Sequence, residues 1–485
     1  MDLLTTPAWK WQEALKAGKT TSRELAEACV RQIERFNHEN ACLNAIISTA
    51  PLDSLFAQAQ KLDDERPSGL RSPLHGSPIV IKDIFITDAS LGMPTTCGAA
   101  ALASAVGRKN CALVEKLLSA GLIIVGKGNL SEFCGLRAKD MRVGLSSLGG
   151  QTHSPYISGG LNEADQMLGN THPGGSSSGP AVSVAAGFAP IAIGSDTSGS
   201  LIVPANRAGL YSLRITNAKV APMCTGMQRM SSYYDSIGAM AKSARDLADI
   251  TRILLGGVNG DRLVRPNPAA FEGFSIGFVN PELWRYSDDV CYVEAPTRSQ
   301  LVQEYRGAIS RIEKQVSEWS KLLEEFLSSL GHSPIRSIDE LIAWNEAHPE
   351  LAMPEPCPNQ DDLIKARDSA SSLTSSERQQ LFDLGDQRAY KQGIDKALRE
   401  NNVELLVGPA DSMLFYLAAT AGCPIGTMPL SMVNFDDRGR PASRPDGLCV
   451  IRRRDSDERV LDFLIAYESV FPFRPVPPAL EKETK

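Results

Sequence analysis

Residues 174–200, GGSSSGPAVSVAAGFAPIAIGSDTSGS, constrain this 485-residue chain more than any other stretch. Thirteen of these 27 residues are Gly or Ser and only Asp196 is charged, so hydroxyls and glycines crowd both ends of an apolar interior. That interior, AVSVAAGFAPIAIG, reads as a short buried helix running into a strand. Hydroxyls packed among glycines suggest a nucleophile beside backbone N–H groups that can hold an oxyanion. The stretch contains no His, Lys, Arg or Glu, so a base must come from elsewhere.

One candidate base lies in LHGSPIVIKDIFI, residues 74–86, where Lys82 and Asp83 interrupt a run that otherwise reads as a buried strand. Lys is almost never fully buried without a partner. On this segment alone, a strand-end lysine that pairs with Asp83 or snorkels outward is the simpler reading. The sharper one is a desolvated lysine acting as a base.

Composition narrows the alternatives. A net charge of −7 and the lack of a basic run interleaved with aromatics argue against a nucleic-acid partner. The ten cysteines include no C-x-x-C pair and the six histidines are scattered, so no metal site is expected and the cysteines read as reduced. The G-x-G at Gly126 and Gly128 lacks the third glycine of a dinucleotide fingerprint, and no cofactor is expected. Neither a secretory signal nor an apolar run of about 18 residues is found, so the expectation is a cytoplasmic protein with no membrane partner.

Along the chain, TSRELAEACVRQIERF (21–36) is an amphipathic helix with a Thr21/Glu24 capping box. Residues 109–125 read as a helix closed by Gly121 and followed by a strand, and 144–173 as loop. In LIVPANR, Pro204 is expected to end a short apolar run. Residues 236–255 read as a helix start and helix, and 297–330 as the clearest helix, with Gly331 as its C-cap. Residues 340–400 are polar and read as helical. Strands are expected at 404–408, 423–430 and 447–453, then a final helix around VLDFLIAYESVF and a poorly ordered tail, 476–485. Helix and strand signals alternate without a linker, which predicts a single large α/β domain over 1–475 with a central mixed β-sheet flanked by helices.

Three readings compete for the serines. Gly175-Ser176-Ser177-Ser178-Gly179 matches a G-x-S-x-G elbow centred on Ser177, but no strand precedes it and only His332 and His348 follow. A purely structural reading accounts for the interior, Ala181 to Ala192, but not for hydroxyls at both ends. The third is a Ser/Ser/Lys site. PGGSSSGPAVSVAAGFAPIAIGSDTSGSLIVPA strongly resembles the signature of the amidase signature family, and HGSPIVIKD, GKGNLSEF, GGQTHSPY, DSIGAMAKSARDLA and AATAGCPIGTMPL match in the same order. The likeness spans roughly residues 20–255 and 400–472 and is poor from about 260 to 400, the segment expected to line the substrate pocket.

The resemblance implies Ser200 as the acyl-accepting nucleophile, Ser176 as a bridging serine in a cis peptide and Lys82 as the base. It implies the backbone N–H groups of Thr197, Ser198, Gly199 and Ser200 as the oxyanion hole. Ser177 and Ser178 are left to support the loop. The sequence departs from the family at Ser198 (usually Gly), at Ile202 (often Arg), at Arg214-Ile215 (Lys-Pro) and in a longer 157–172 loop. Arg207, standing where an apolar residue is preferred, is a candidate to replace the charge missing at 202. The implied function is an amidohydrolase cleaving a linear, small-molecule carboxylic amide through an acyl-enzyme. Alternatives are the glutaminase-type subunit of an amidotransferase, an acyltransferase or esterase on the same scaffold, and a non-enzymatic scaffold. A homodimer is compatible with the sequence.

Overall fold

The computed structural model describes residues 1–162, 169–256, 271–280, 286–287, 290–293, 318–369, 374–435, 442–478 and 480. Ten strands form one mixed sheet: β1 (Ile46–Thr49), β2 (Pro78–Lys82), β3 (Ile123–Gly128), β4 (Ile191–Asp196), β5 (Tyr211–Arg214), β6 (Ser236–Ala241), β7 (Ile276–Phe278), β8 (Leu405–Pro409), β9 (Ile425–Phe435) and β10 (Ala442–Ile451). Their spatial order is β1-β3-β2-β4-β6-β5-β9-β10-β8-β7. At its heart β2 runs parallel to both β3 and β4, with Ile79 opposite Ile124 and Ile191. All residues of β2, β3, β4 and β6 are buried, as expected where helices cover both faces.

The helices that matter for the site are α1 (Ala8–Lys16), α2 (Ser22–Phe36), α3 (Ala112–Ser119), α4 (Ser178–Ala185), α5 (Ile202–Arg207), α6 (Ala244–Leu255), α7 (Leu414–Ala421) and α8 (Asp457–Val470). The Thr21 capping box forms as read, with reciprocal Thr21 and Glu24 bonds. Helix α4, short and fully buried, leads directly into β4, as the small-residue interior of the Gly/Ser stretch implied. Gly179 makes this approach possible: a Cβ there would lie 2.2 Å from Ala45 O and 2.3 Å from Asn129 N.

Several elements differ from the sequence reading. SIGAMA is strand β6, because both its edges pair, with β4 and β5, and the helix starts only after Ser243, whose hydroxyl accepts the Asp246 N–H. Pro204 lies inside α5, where a first-turn residue needs no N–H. Of the long helix expected at 297–330, residues 297–317 lie outside the described residues. The described part, Trp319–Ser329, is helical and is capped by Leu330 rather than Gly331. Leu330–His332 then pairs as a short strand with Val106–Gly107. The expected helical character of 340–400 is met by Ile338–Ala347, Asp361–Asp368, Ser375–Gly385 and Asp395–Glu400. In the tail Leu480 is buried in the core, against expectation for that residue. Residues 479 and 481–485 fall outside the described residues.

Candidate active site

Lys82 ends β2 at the carboxyl edge of the parallel strands, where open α/β sheets place their ligands. It is fully buried, yet its Nζ meets hydroxyls: Ser176 Oγ at 2.7 Å and Ser195 Oγ at 3.0 Å. No carboxylate lies within 4.0 Å of it among the described residues. Asp83, its neighbour in sequence, pairs instead with Lys127 of β3 at 3.5 Å and accepts from the N–H and hydroxyl of Thr96. Burial raises the Asp83 pKa and lowers that of Lys127, each drift opposed by the partner's charge. The simple reading of Lys82, paired with Asp83 or snorkelling outward, is therefore not what the chain does.

Ser176 stands before α4, and the Gly175–Ser176 peptide bond is cis. Its Oγ donates to Ser200 Oγ at 3.0 Å, so Lys82, Ser176 and Ser200 form one continuous hydrogen-bonded row. Ser200 is partly exposed, whereas Lys82 and Ser176 are buried. The other serines hold the frame. Ser177 Oγ donates to Ser195 O and its N–H to Ser200 O, while Ser178 Oγ donates to Gly174 O. With its hydroxyl buried and spent on a carbonyl, Ser177 does not occupy the position of an elbow nucleophile.

The loop from β4 to Ser200 is shaped by Asp196. Its carboxylate accepts the N–H groups of Gly199 (2.9 Å) and Leu201 (2.7 Å), and the Arg214 Nε at 3.0 Å. Arg214 also donates to Tyr234 O and Cys423 O, and burial lowers its pKa against the pull of Asp196. Gly199 has φ +98°, and a Cβ there would lie 2.5 Å from the Phe415 ring. Of the four expected oxyanion donors, the Gly199 N–H is thus already engaged. The N–H groups of Thr197, Ser198 and Ser200 donate to no acceptor among the described residues. Arg207, expected as a replacement charge, is instead fully buried against Asp411 at 3.0 Å, which also takes Arg444 at 2.8 Å.

Sequence reasoning missed Ser195, Thr96 and Lys127. Ser195 was legible only once β2 and β4 are paired, since Ile81 then lies opposite Ile193 and Ser195 follows two residues on, within reach of the Lys82 amine. Lys127 carried the same signal as Lys82, a charge inside a buried strand. Among the described residues, no group of three His, Cys, Asp or Glu side chains is arranged to hold a metal, and no helix is long and apolar enough to cross a membrane.

The Amidase family model matches residues 24–304. A Schizosaccharomyces pombe protein that carries the name amidase is 24% identical over 532 residues, covering 98% of this chain and 86% of that one. A glutamyl-tRNA(Gln) amidotransferase subunit from Halorhodospira halophila is 36% identical, over 51% of this chain and 45% of that subunit. The crystal structure of the peptide amidase from Stenotrophomonas maltophilia superposes with a TM-score of 0.78 at 26% identity, covering 97% of this chain and 98% of that one. The chain therefore belongs to the amidase (amidase signature) family of enzymes, which hydrolyse the C–N bond of amides.

Proposed function

We propose that this protein hydrolyses a linear carboxylic amide through an acyl-enzyme on Ser200, with Ser176 relaying protons between Ser200 and Lys82. The observation that carries the proposal is the unbroken row Lys82 Nζ–Ser176 Oγ–Ser200 Oγ, at 2.7 and 3.0 Å, beside three uncommitted backbone N–H groups. A serine hydroxyl is a weak nucleophile and needs a base within hydrogen-bond reach. In the attacking state the amine of Lys82 is neutral and accepts the Ser176 proton, while Ser176 accepts the proton of Ser200. The Ser200 oxygen bonds to the amide carbon, and the carbonyl oxygen becomes an oxyanion facing the N–H groups of Thr197, Ser198 and Ser200. Such donors each lower the barrier by about 3 kcal/mol. Collapse breaks the C–N bond as Ser176 delivers a proton to the leaving nitrogen and recovers one from Lys82. Water then repeats the sequence on the acyl-enzyme, leaving carboxylate and amine.

In this reading Gly199 contributes its backbone turn rather than its N–H, which Asp196 holds. A free-standing hydrolase is favoured over a glutaminase component of an amidotransferase because the sequence likeness to the Schizosaccharomyces pombe protein named an amidase runs over 98% of the chain, whereas that to the amidotransferase subunit covers 51%. The likeness to the peptide amidase makes peptide amides the first substrates to try. Treatment with a fluorophosphonate and mass mapping of the adduct tests the mechanism. Label on Ser200, lost in Lys82→Ala, supports it; label on Ser177 sinks it. Ammonia release from aryl, aliphatic, peptide and glutamine amides then separates the substrate classes.

A further inference from the structure

Thr197, first residue of the loop that ends at Ser200, is tied down by its side chain rather than its N–H. Its Oγ1 donates to Asp235 Oδ1 at 2.6 Å, while Asp235 Oδ2 accepts the N–H groups of Met230 and Ser231 at 2.8 and 3.2 Å. Asp235 immediately precedes β6, whose Ser236 lies opposite Asp196 of β4. One oxygen of the carboxylate is thus fixed to the 230–231 turn and the other to the loop. We propose that Asp235 is a positioning residue, its carboxylate orienting Thr197 so that the Thr197 and Ser198 N–H groups face the developing oxyanion. The inference rests on the acyl-enzyme reading under Proposed function.

The charged or titratable groups whose charge bears on Asp235 are Arg214, Arg229 and the Cys224 thiol, and Tyr233, Arg454 and Asp455 line the cavity it borders. None takes over its role. Arg214 is engaged by Asp196 and two carbonyls, and Arg229 pairs with Glu325 at 2.8 Å. The Cys224 thiol is pushed up to about 12 by burial and stays protonated. Asp235 is 8% exposed and borders a cavity of about 280 Å³ shared with Arg229, Tyr233 and Phe382, so a proton can reach it. Burial raises its pKa to about 6, against the pull of the three hydrogen bonds. Because Oδ2 already accepts two N–H groups, the proton settles on Oδ1. The bond to Thr197 then runs the other way, with the acid donating and the Thr197 hydroxyl accepting. Asp235→Asn fixes that reversed state at every pH, since its oxygen keeps the backbone donors and its NH₂ faces Thr197.

The test is steady-state hydrolysis of a peptide amide from pH 5 to 9 by wild type, Asp235→Asn, Thr197→Val, Thr197→Ser and the Asp235→Asn/Thr197→Val double variant. Misplacing reacting groups by about 1 Å costs on the order of 100-fold in rate. We expect Asp235→Asn to lower kcat by roughly 10- to 100-fold with little change in KM, and to lose an acid limb near pH 6 that wild type shows. Thr197→Ser should restore near-wild-type kcat, and the double variant should be no slower than the worse single one. Additive losses in the double variant, or the same acid limb in Asp235→Asn as in wild type, would overturn the inference. Fluorophosphonate labelling separates the two failures. Wild type labelled anywhere but Ser200 defeats the acyl-enzyme reading itself. Wild type labelled at Ser200, with Asp235→Asn labelled equally fast, defeats only the role of Asp235. Thr197→Val leaves the backbone bonds of Asp235 intact, so the question stays answerable if Asp235→Asn folds poorly.

Discussion

Two buried lysines, one strand apart, do different jobs because of what stands opposite each amine. Lys127 meets a carboxylate, together with Phe85 O and Thr95 Oγ1, whereas Lys82 meets only hydroxyls. Removing one partner of a buried ion pair leaves an uncompensated charge and costs about 3–5 kcal/mol. Lys127→Ala is therefore expected to lower the midpoint of urea unfolding sharply, because it strands Asp83. Lys82→Ala strands no charge, so its unfolding midpoint should stay far closer to wild type while its amidase activity falls by about 10²- to 10⁴-fold, the usual worth of a general base. Comparing the two unfolding curves and the two rates checks both halves. At this scale the sequence showed a lysine, Lys82, inside an apolar run but not what its amine faces. The adjacent pair Lys82-Asp83 invited a local ion pair, yet successive residues of an extended chain point to opposite faces. The partner of Asp83 comes from the neighbouring strand, 44 positions on, a pairing that only strand order reveals.

At the scale of elements, the sheet edge is built by a helix that all but touches the backbone beneath it. Gly179 N–H donates to Asn129 O at 2.9 Å, and a Cβ at 179 would collide with backbone atoms of Ala45 and Asn129 that cannot swing away. Overpacking typically costs about 1–3 kcal/mol, and more where backbone must shift. Gly179→Ala should consequently lower thermal stability by at least that much and displace Ser176, one turn upstream, so that activity falls with Tm. A loss of Tm with full activity would contradict the placement of α4. Elements with one dominant signal were legible from sequence: the capped α2, the small-residue α4 and the apolar β4. Strand β6 was not, because SIGAMA lacks the β-branched run that marks a strand and flows without a break into the amphipathic α6. Its identity comes from having a partner on each side, which no local window contains.

Across the whole molecule, remote segments are stitched together by buried carboxyls. Asp246 of α6 accepts the first N–H groups of α1, from Ala8 and Trp9 at 2.7 and 2.8 Å, supplying the cap that Pro7 cannot. Glu468 of α8 accepts the Ala244 N–H at 2.9 Å. Burial raises both carboxyls to about 7, with Asp246 adding repulsion to Glu468. A carboxyl raised in the folded state contributes stability that is fully present below its unfolded pKa, near 4, and lost as pH rises through about 7. The difference in Tm between Glu468→Gln and wild type should accordingly shift in favour of the variant between pH 5 and 8, as read by differential scanning calorimetry. A constant difference would show that Glu468 does not titrate in that window. The domain class was legible because helix and strand signals alternate to the end of the chain, but the order of the ten strands was not. That order has a consequence for how the protein is made. The first 256 residues contain Lys82, Ser176 and Ser200, but their part of the sheet joins the rest along a seam between β5 and β9, where Arg214 lies opposite Ile425. Phe415, which covers Gly199, and Cys423, whose carbonyl holds Arg214, come from that late stretch too. On the ribosome, the nucleophile loop thus emerges some 200 residues before the stretch that closes over it.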